Sequence, residues 1–168
     1  GFHFTEAWQA TVGARWFDYD DDVELQTAFP FYADPPGDVQ LAGVRNKTGD
    51  NDVIFKFNTS YDFNDDMMAY LTVSEGYRRG GVNSGPLCTG GNDGQSFCLA
   101  EDEVLIKPDT TTNYEVGLRS MWLDGRLIVN AAAYYIDWQD IQALGTSATG
   151  GVPITANGSA AESRGIEL

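Results

Sequence analysis

The sequence predicts an all-β fold, an antiparallel transmembrane β-barrel segment of about six strands, on three observations. Apolar residues alternate with polar or small residues over several stretches. Tight turns and long connections also alternate, as in a membrane barrel, which has short periplasmic turns and long extracellular loops. Aromatic side chains lie at both ends of the apolar face. No window approaches the roughly 18 to 20 consecutive apolar residues that a helical membrane span requires.

The alternation defines six strands that are separated by connections of unequal length. In chain order the predicted strands are Trp8–Trp16, Val53–Phe63, Met67–Tyr77, Tyr114–Trp122, Leu127–Tyr135 and Ala161–Leu168. Asn64–Asp66 and the turn at Asp124–Gly125 are short connections. The other three connections are long, so we expect residues 17–52 and the two later stretches to be loops on one side of the barrel.

The turn at Asp124–Gly125 provides a check on the register. A two-residue type I′ turn there pairs Trp122 with Leu127, and continues through the apolar positions to Tyr114 with Tyr135. Every apolar-face residue then meets another residue of the same face. The strands therefore form a hairpin with one apolar and one polar face.

The connection at Asn64–Asp66 is predicted to be a three-residue loop. In that form it pairs Phe63 with Met67 and keeps the two faces separate, whereas a two-residue loop would mix them. Asp66 is then the candidate for the left-handed backbone position that such loops need.

Aromatic residues eight positions apart mark the ends of the apolar face on three strands. Eight residues rise about 20 Å along a tilted strand, near the roughly 25 Å apolar band of membrane barrels. The predicted aromatic girdle consists of Trp8, Trp16, Phe55, Phe63, Tyr114, Trp122 and Tyr135. We therefore expect this face to contact lipid.

The opposite face carries charged side chains that a sandwich core could bury only in pairs. The predicted lumen-facing polar residues are Arg15, Lys56, Asp62, Arg78, Glu115 and Arg119. We expect Arg15, Lys56 and Arg119 to pair with carboxylates of this face or with a plug inside the barrel. A secreted β-sandwich or adhesion module is the alternative, because its charged face would lie in solvent.

Three strings of the sequence resemble the C-terminal half of the barrel in TonB-dependent outer-membrane receptors of the siderophore-receptor type. They are AYLTVSEGYRRGGVN at 69–83, IKPDTTTNYEVGLRSMWLDGRLIVNAAAYYIDWQDIQ at 106–142 and NGSAAESRGIEL at 157–168. The resemblance implies that residues 1–168 are an internal part of one 22-stranded barrel domain with a plugged lumen. The plug domain, the TonB box and the last strands are then absent. Glu75 departs from the pattern, because it has the lipid-facing parity.

The same resemblance implies an outer-membrane active-transport receptor of a Gram-negative bacterium that imports a scarce ligand. We expect a ferric siderophore or another large ligand, energy from the TonB–ExbB–ExbD complex, and contact with membrane lipid and lipopolysaccharide. Transport makes and breaks no bond, so we expect no enzyme and no cofactor. A passive porin-like channel is the alternative within membranes.

Cys88 and Cys98 flank a polar, glycine-rich stretch of the second long connection. Such a pair in an outward-facing loop is typical of a local disulfide, which persists in oxidising compartments. A metal site or a reactive thiol pair is the alternative, but it lacks further ligands. His3 is the single histidine, so neither a zinc site nor a catalytic triad is supported, and we expect no metal site.

The acidic residues are concentrated in the long connections. The chain has a net charge of −15, so we expect no nucleic-acid partner. A calcium hypothesis applies to the cluster Asp18, Asp20, Asp21, Asp22 and Glu24, but the twelve-residue pattern with a central glycine is missing and a solvated loop mouth is favoured. Arg78 and Arg79 are candidates to contact an anionic ligand or a lipid headgroup, with Arg79 on the lipid parity.

Overall fold

The computed structural model describes residues 1–28, 41–85, 87–88, 98–148 and 151–168, and for residues 25–28 and 41–44 the backbone only. The strands are β1 (Phe2–His3), β2 (Trp8–Ala28), β3 (Leu41–Asn64), β4 (Met67–Arg78), β5 (Gly81–Val82), β6 (Leu105–Ile106), β7 (Asp109–Trp122), β8 (Leu127–Gln139), β9 (Gln142–Thr146), β10 (Pro153–Asn157) and β11 (Ala160–Glu167). A single 3-10 turn at Glu101–Glu103 is the only helical element of the described residues.

Seven strands form one antiparallel sheet in the order β1-β2-β3-β4-β7-β8-β11. The two smaller sheets are the pairs β5–β6 and β9–β10. The predicted all-β fold and its six strands are confirmed, with β1 as an additional short strand at one edge. The large sheet is open, because β1 and β11 lie at opposite edges and do not pair with each other.

The prediction that residues 17–52 form a loop is wrong for the residues that the structure describes. β2 and β3 continue as one hairpin, with a regular register from Trp8 opposite Tyr61 to Ala28 opposite Leu41. The backbone ladder satisfies the peptide groups over this length. In β2 the alternation continues, with Phe17, Tyr19, Val23 and Leu25 against Asp18, Asp20, Asp22 and Glu24, but its apolar parity is the reverse of that in Trp8–Trp16. Residues 45–52 of β3 carry no apolar side chain, so the sequence does not show that the same hairpin continues.

The turn after β7 agrees with the prediction. Trp122 lies opposite Leu127, and the register continues to Tyr114 opposite Tyr135. Asp124 and Gly125 have φ values of 55° and 80°, as a type I′ turn requires. Leu123 also has a positive φ, which the sequence does not predict.

The turn after β3 differs from the prediction at its base. Met67 lies opposite Asn64 instead of Phe63, and the register shifts between Asp62 and Asn64. The loop therefore has two residues, and the β-bulge at Phe63 restores the face separation that a third loop residue was expected to provide. Asp66 is not among the residues with positive φ; its N–H instead binds Oδ1 of Asn64 at 2.9 Å.

The apolar face of the large sheet is exposed to the surroundings. Val12, Phe55 and Val116 are each more than half exposed, and no second layer covers them among the described residues. The β-sandwich interpretation is therefore wrong, because a sandwich buries this face. No helix in the described part of the chain has the length and apolar character needed to cross a membrane.

Candidate functional site

We name the two ends of the large sheet by their connections. The turn end carries the short turns at 65–66 and 123–126, and the loop end is formed by Arg78, Asp109 and Gln139, where the long connections begin and finish. A loop module lies at the loop end; it comprises the described residues of 81–108 and 142–157. This module contains the only buried apolar cluster of the described residues, consisting of Leu99, Val104, Val152 and Ile154.

A disulfide joins Cys88 and Cys98 inside the loop module. Beside it, the Cys88 N–H donates to the Leu99 carbonyl at 3.0 Å, and Leu87 and Leu99 form a parallel bridge. The bond therefore closes a loop directly next to the fully buried Leu99. Residues 89–97 of this loop lie outside the described residues.

Two asparagine side chains connect the two segments of the loop module. The Asn83 amide donates to the Thr155 carbonyl at 2.7 Å, and its Oδ1 accepts from the Thr155 N–H at 2.8 Å. Asn157 bonds in the same way to the N–H and carbonyl of Lys107, at 2.8 and 2.9 Å. Each side-chain amide thus satisfies the N–H and the carbonyl of one residue that has no strand neighbour there, and the four hydrogen bonds join the two segments.

A buried carboxylate joins the loop module to the sheet. Asp109, of which only 3% is exposed, accepts from Nε of Arg78 at 3.0 Å and from the Gln142 N–H at 3.2 Å. The Gln142 amide donates to the carbonyls of Arg79 and Lys107 at 2.8 and 3.0 Å. Burial raises the pKa of Asp109, but the hydrogen bonds from Arg78 and Gln142 outweigh it, so the pKa lies below its usual value.

This network changes the expectation for Arg78. The sequence predicts a lumen-facing arginine, and the structure places its guanidinium against Asp109, 5.8 Å from the Trp138 ring centroid. Arg78 is therefore engaged in an ion pair at the loop end. No local sequence signal indicates this network, because Asp109 and Gln142 follow different strands.

A cleft separates β3 from β4 at the loop end. Their pairing stops at Lys56 opposite Ser74, although both strands continue. Tyr77 reaches across this cleft to β2, where its ring lies 4.1 Å from that of Phe17 and its hydroxyl donates to that of Tyr19 at 2.9 Å. Burial and the bond with Tyr19 raise the pKa of Tyr77.

Arg79 also turns into the cleft. Its guanidinium stacks 4.0 Å from the Tyr19 ring and pairs with Asp21. Parity predicts that Arg79 faces lipid, and this prediction is wrong because β4 ends at Arg78 and strand alternation ends with it. The arginine is thus tied to the extended β2–β3 hairpin.

The acidic cluster lies along the extended hairpin. Asp18, Asp20, Asp22 and Glu24 occupy alternate positions of β2, and Arg45 of β3 pairs with Asp22 at 3.1 Å. The hydrogen bond from Arg45 lowers the pKa of Asp22. Among the described residues, no three His, Cys, Asp or Glu side chains are grouped to hold a metal ion.

The polar face of the sheet has a packing motif that the alternation pattern did not predict. The Tyr70 ring lies over Gly117, its hydroxyl donates to Glu115 at 2.7 Å, and Arg119 lies 5.5 Å from its centroid. A Cβ at position 117 would overlap the Tyr70 ring, so glycine is required. Gly117 lies directly opposite Tyr70 of β4, and the long connection between these two strands gives no local sequence signal for that register.

The other predicted polar-face residues lie on this face without the expected ion pairs. Arg15, Lys56 and Asp62 form no ion pair with any residue that the structure describes, and neither does Arg119 with Glu115. Asp62 lies opposite Met68 of β4, and Lys56 lies opposite Gly13 of β2. The described residues thus form no ion pair within this face, and pairing of these charges with a plug stays a prediction.

The predicted girdle residues lie at the ends of the apolar face. Six of them follow the register of this face, and Phe63 at the bulge packs edge-on against Tyr61, with ring centroids 5.2 Å apart. The indole N–H groups of Trp8 and Trp122 donate to Thr59 and Ser120 at 2.9 and 3.0 Å. Both tryptophans therefore combine an exposed ring with a bonded polar atom.

The apolar face ends abruptly near the loop end. One row of cross-strand neighbours consists of Val73, Tyr114, Tyr135 and Arg164. The row directly above it consists of Glu75, Thr112, Asp137 and Glu162. Glu75 is therefore one of three carboxylates at the same height, which explains its departure from the apolar pattern.

Comparison with known proteins relates this architecture to a family and to two solved structures. A family model described as TonB dependent receptor-like, beta-barrel, matches residues 1–168. The alcaligin outer-membrane receptor FauA from Bordetella pertussis is 19% identical, with a TM-score of 0.57 over 98% of this chain and 24% of that chain. A double mutant of the Serratia marcescens hemophore receptor HasR, in complex with its hemophore HasA and heme, is 12% identical, with a TM-score of 0.65 over 95% of this chain and 28% of that chain. The chain thus spans about a quarter of each structure, and at these identities the likeness shows the fold.

Proposed function

Because this chain belongs to the TonB-dependent receptor β-barrel family of the Gram-negative outer membrane, we propose that it forms part of an active-transport receptor for a scarce ligand. Energy comes from the TonB–ExbB–ExbD complex through a part of the receptor beyond these residues. The observation that carries the proposal is a single sheet with an exposed apolar face, an opposite polar face and a structured loop module at one end.

The two faces of the sheet have different surroundings in this proposal. The apolar face with its aromatic girdle contacts lipid, and the acidic row at Glu75, Asp137 and Glu162 lies in the headgroup and lipopolysaccharide region. The polar face with Glu115 and Arg119 lines the lumen and contacts the plug. The loop end is then extracellular, since membrane barrels carry their long loops there.

The ligand that we propose is a ferric siderophore. Support comes from the similar receptor that is named for alcaligin, whereas the other similar receptor is named for a hemophore and was solved with heme. Capture occurs at the loop end, and the plug rearranges when TonB pulls on it. The chain performs no bond-making step, so its role is binding and passage.

Uptake of radioactive iron tests the proposal. The full-length receptor is expressed in cells that lack their own siderophore receptors, with and without a functional tonB gene, and a panel of ferric siderophores is supplied. Saturable uptake that disappears without TonB, while surface binding persists, is expected. Uptake that rises linearly with concentration and ignores TonB would instead identify a passive channel.

A further inference from the structure

The cleft between β3 and β4 leaves one backbone edge of β3 without a strand neighbour. On the loop-end side of Lys56, β3 pairs only with β2, and the edge that faces β4 receives no backbone hydrogen bond from β4. Open strand edges are places where a further strand can pair. Residues 51–55 are the part of this open edge that follows directly from the paired region.

Carboxylates bind the N–H groups of this edge. The Phe55 N–H donates to Glu75 of β4 at 2.8 Å, so this N–H points into the cleft. N–H groups of alternate residues in a strand point to the same side, and those of Asn51 and Val53 therefore point there too. They donate to Oδ1 of the preceding aspartates, Asp50 and Asp52, at 2.9 and 2.7 Å. Three successive edge donors are thus satisfied by side chains instead of by a strand.

The cleft has open space on both sides of Ile54. One cavity of about 340 Å³ is lined by Phe17, Tyr77 and Arg79 among others. A second cavity of about 280 Å³ is lined by Glu75 and by residues 110–112, and Ile54 borders both cavities. The second cavity, which residues 52–55 line, therefore leaves space along the edge for a chain segment.

The backbone of the described segment that follows β4 does not pair with this edge, although the Arg79 side chain lies in the cleft. The Arg79 carbonyl is bound by Gln142, and Gly81 pairs with Ile106 in the loop module. A strand that pairs with the edge must therefore come from outside residues 79–85. The charged groups around the edge favour a basic strand, because the carboxylates of Asp50, Asp52 and Glu75 lie on it. Of the two arginines that line the larger cavity, Arg79 is neutralised by Asp21, and Arg15 alone does not offset the three carboxylates.

We propose that the open edge of β3 is a strand-addition site for an extended segment of a separate polypeptide with basic side chains at alternate positions. Carbonyl groups of the incoming strand accept the N–H groups of Asn51, Val53 and Phe55. The displaced carboxylates then pair with the basic side chains. This site goes beyond ligand transport, because it is a surface for a protein partner on the outside of the receptor.

Peptide binding to the full-length receptor in lipid nanodiscs tests the proposal. The probe is a short peptide of alternating lysine and valine, and its control has the same sequence with alternate amides N-methylated, which preserves charge and prevents strand pairing. We expect binding of the probe, about tenfold weaker binding of the control, and about tenfold slower hydrogen exchange at residues 51, 53 and 55 with the probe bound.

Two variants make the test specific to the edge. Val53→Pro removes an edge donor, since proline has no N–H, and should weaken binding about tenfold. Val53→Ala retains the N–H and should bind as the unchanged receptor does. Equal binding of both peptides would show that charge attraction alone accounts for the binding. Slow hydrogen exchange at residues 51, 53 and 55 without peptide would show that another segment of the receptor occupies the edge. Either result, or no binding at all, overturns the proposal.

Discussion

The large sheet and the loop module place the same residue type in opposite surroundings. Leu71 on the apolar face of the sheet is 40% exposed, whereas Leu99 in the loop module is fully buried. The sheet has no apolar core among its described residues, and its stability depends on its backbone ladder and on the medium that covers its apolar face. The loop module has a small core, a disulfide and side-chain amide bonds, as a water-soluble domain does. The chain thus combines a sheet whose apolar face suits lipid with a loop module whose buried core suits water.

The largest effect is expected from a cavity in the loop module. Leu99→Ala should destabilise the module by about 2 to 5 kcal/mol, since a buried leucine loses both transfer free energy and packing. Limited proteolysis of the full-length receptor measures this as faster cleavage within 81–108 and 142–157. Leu144→Ala, at a position 91% exposed in the same module, is the control and should leave cleavage unchanged. Loss of barrel assembly in Leu99→Ala would contradict the separation of the two regions.

A charge on the apolar face should destabilise the sheet, whereas the cavity at Leu99 should destabilise the loop module. Leu71→Arg places a cation in the middle of the apolar band and should cost about 2 to 4 kcal/mol of barrel stability. Heat-dependent mobility on gels measures the folded fraction after extraction. Thr72→Arg, one residue along and on the polar face, should be tolerated. If the two arginine variants behave alike, the faces do not meet different media.

Glycine substitution on the polar face tests the Tyr70 motif. Gly117→Ala should cost about 1 to 3 kcal/mol, because the new methyl group displaces the Tyr70 ring and its bond to Glu115. Denaturant unfolding of the receptor in detergent measures the change. Gly13→Ala is a matched control on the same face, since its Cβ would have Lys56 no closer than 4.0 Å. A cost as large at Gly13 would point to general strand effects.

Acid should loosen the junction between the two regions slightly. The pKa of Asp109 is lower in the folded state than its ordinary value of 3.8, so its stabilising contribution is complete above that value and is lost as the pH falls through the folded pKa. Proteolysis of the module should therefore accelerate in that acidic range. Asp109→Asn, which has no carboxyl to protonate, should show a smaller change with pH. An equal change in both would assign the effect to other acids.

The sheet could be predicted because its two faces meet different media. Alternation from Tyr114 to Tyr135 follows directly from that difference, and the turn at Asp124–Gly125 fixes the register. The extension of β2 and β3 was missed because the apolar parity of β2 reverses at Phe17, so its alternation does not continue the face of Trp8–Trp16. Residues 45–52 of β3 carry no apolar side chain and therefore show no alternation. The bulge at Phe63 was missed because a three-residue loop and a two-residue loop with a bulge both pair Tyr61 with Ala69.

The loop module was missed for a different reason. Its contacts join residues far apart in the sequence, such as Asn83 with Thr155, and no local pattern indicates such pairs. Within the loop module only the contact between Cys88 and Cys98 could be predicted, because two cysteines in one outward-facing loop indicate a disulfide. The network at Asp109 was missed for the same reason, because Arg78 and Gln142 come from different strands.

Site-directed spin labelling of β8 and β9 tests the central claim most directly. Single cysteines at residues 127–139 and at Leu144 are labelled in the full-length receptor in bilayers, and accessibility to oxygen and to a water-soluble nickel complex is measured. Odd positions from Leu127 to Tyr135 should be accessible to oxygen, the even positions between them should not, and Leu144 should be accessible to nickel. Equal accessibility at odd and even positions, or oxygen accessibility at Leu144 matching that at Val129, would contradict a sheet in lipid beneath a module in water.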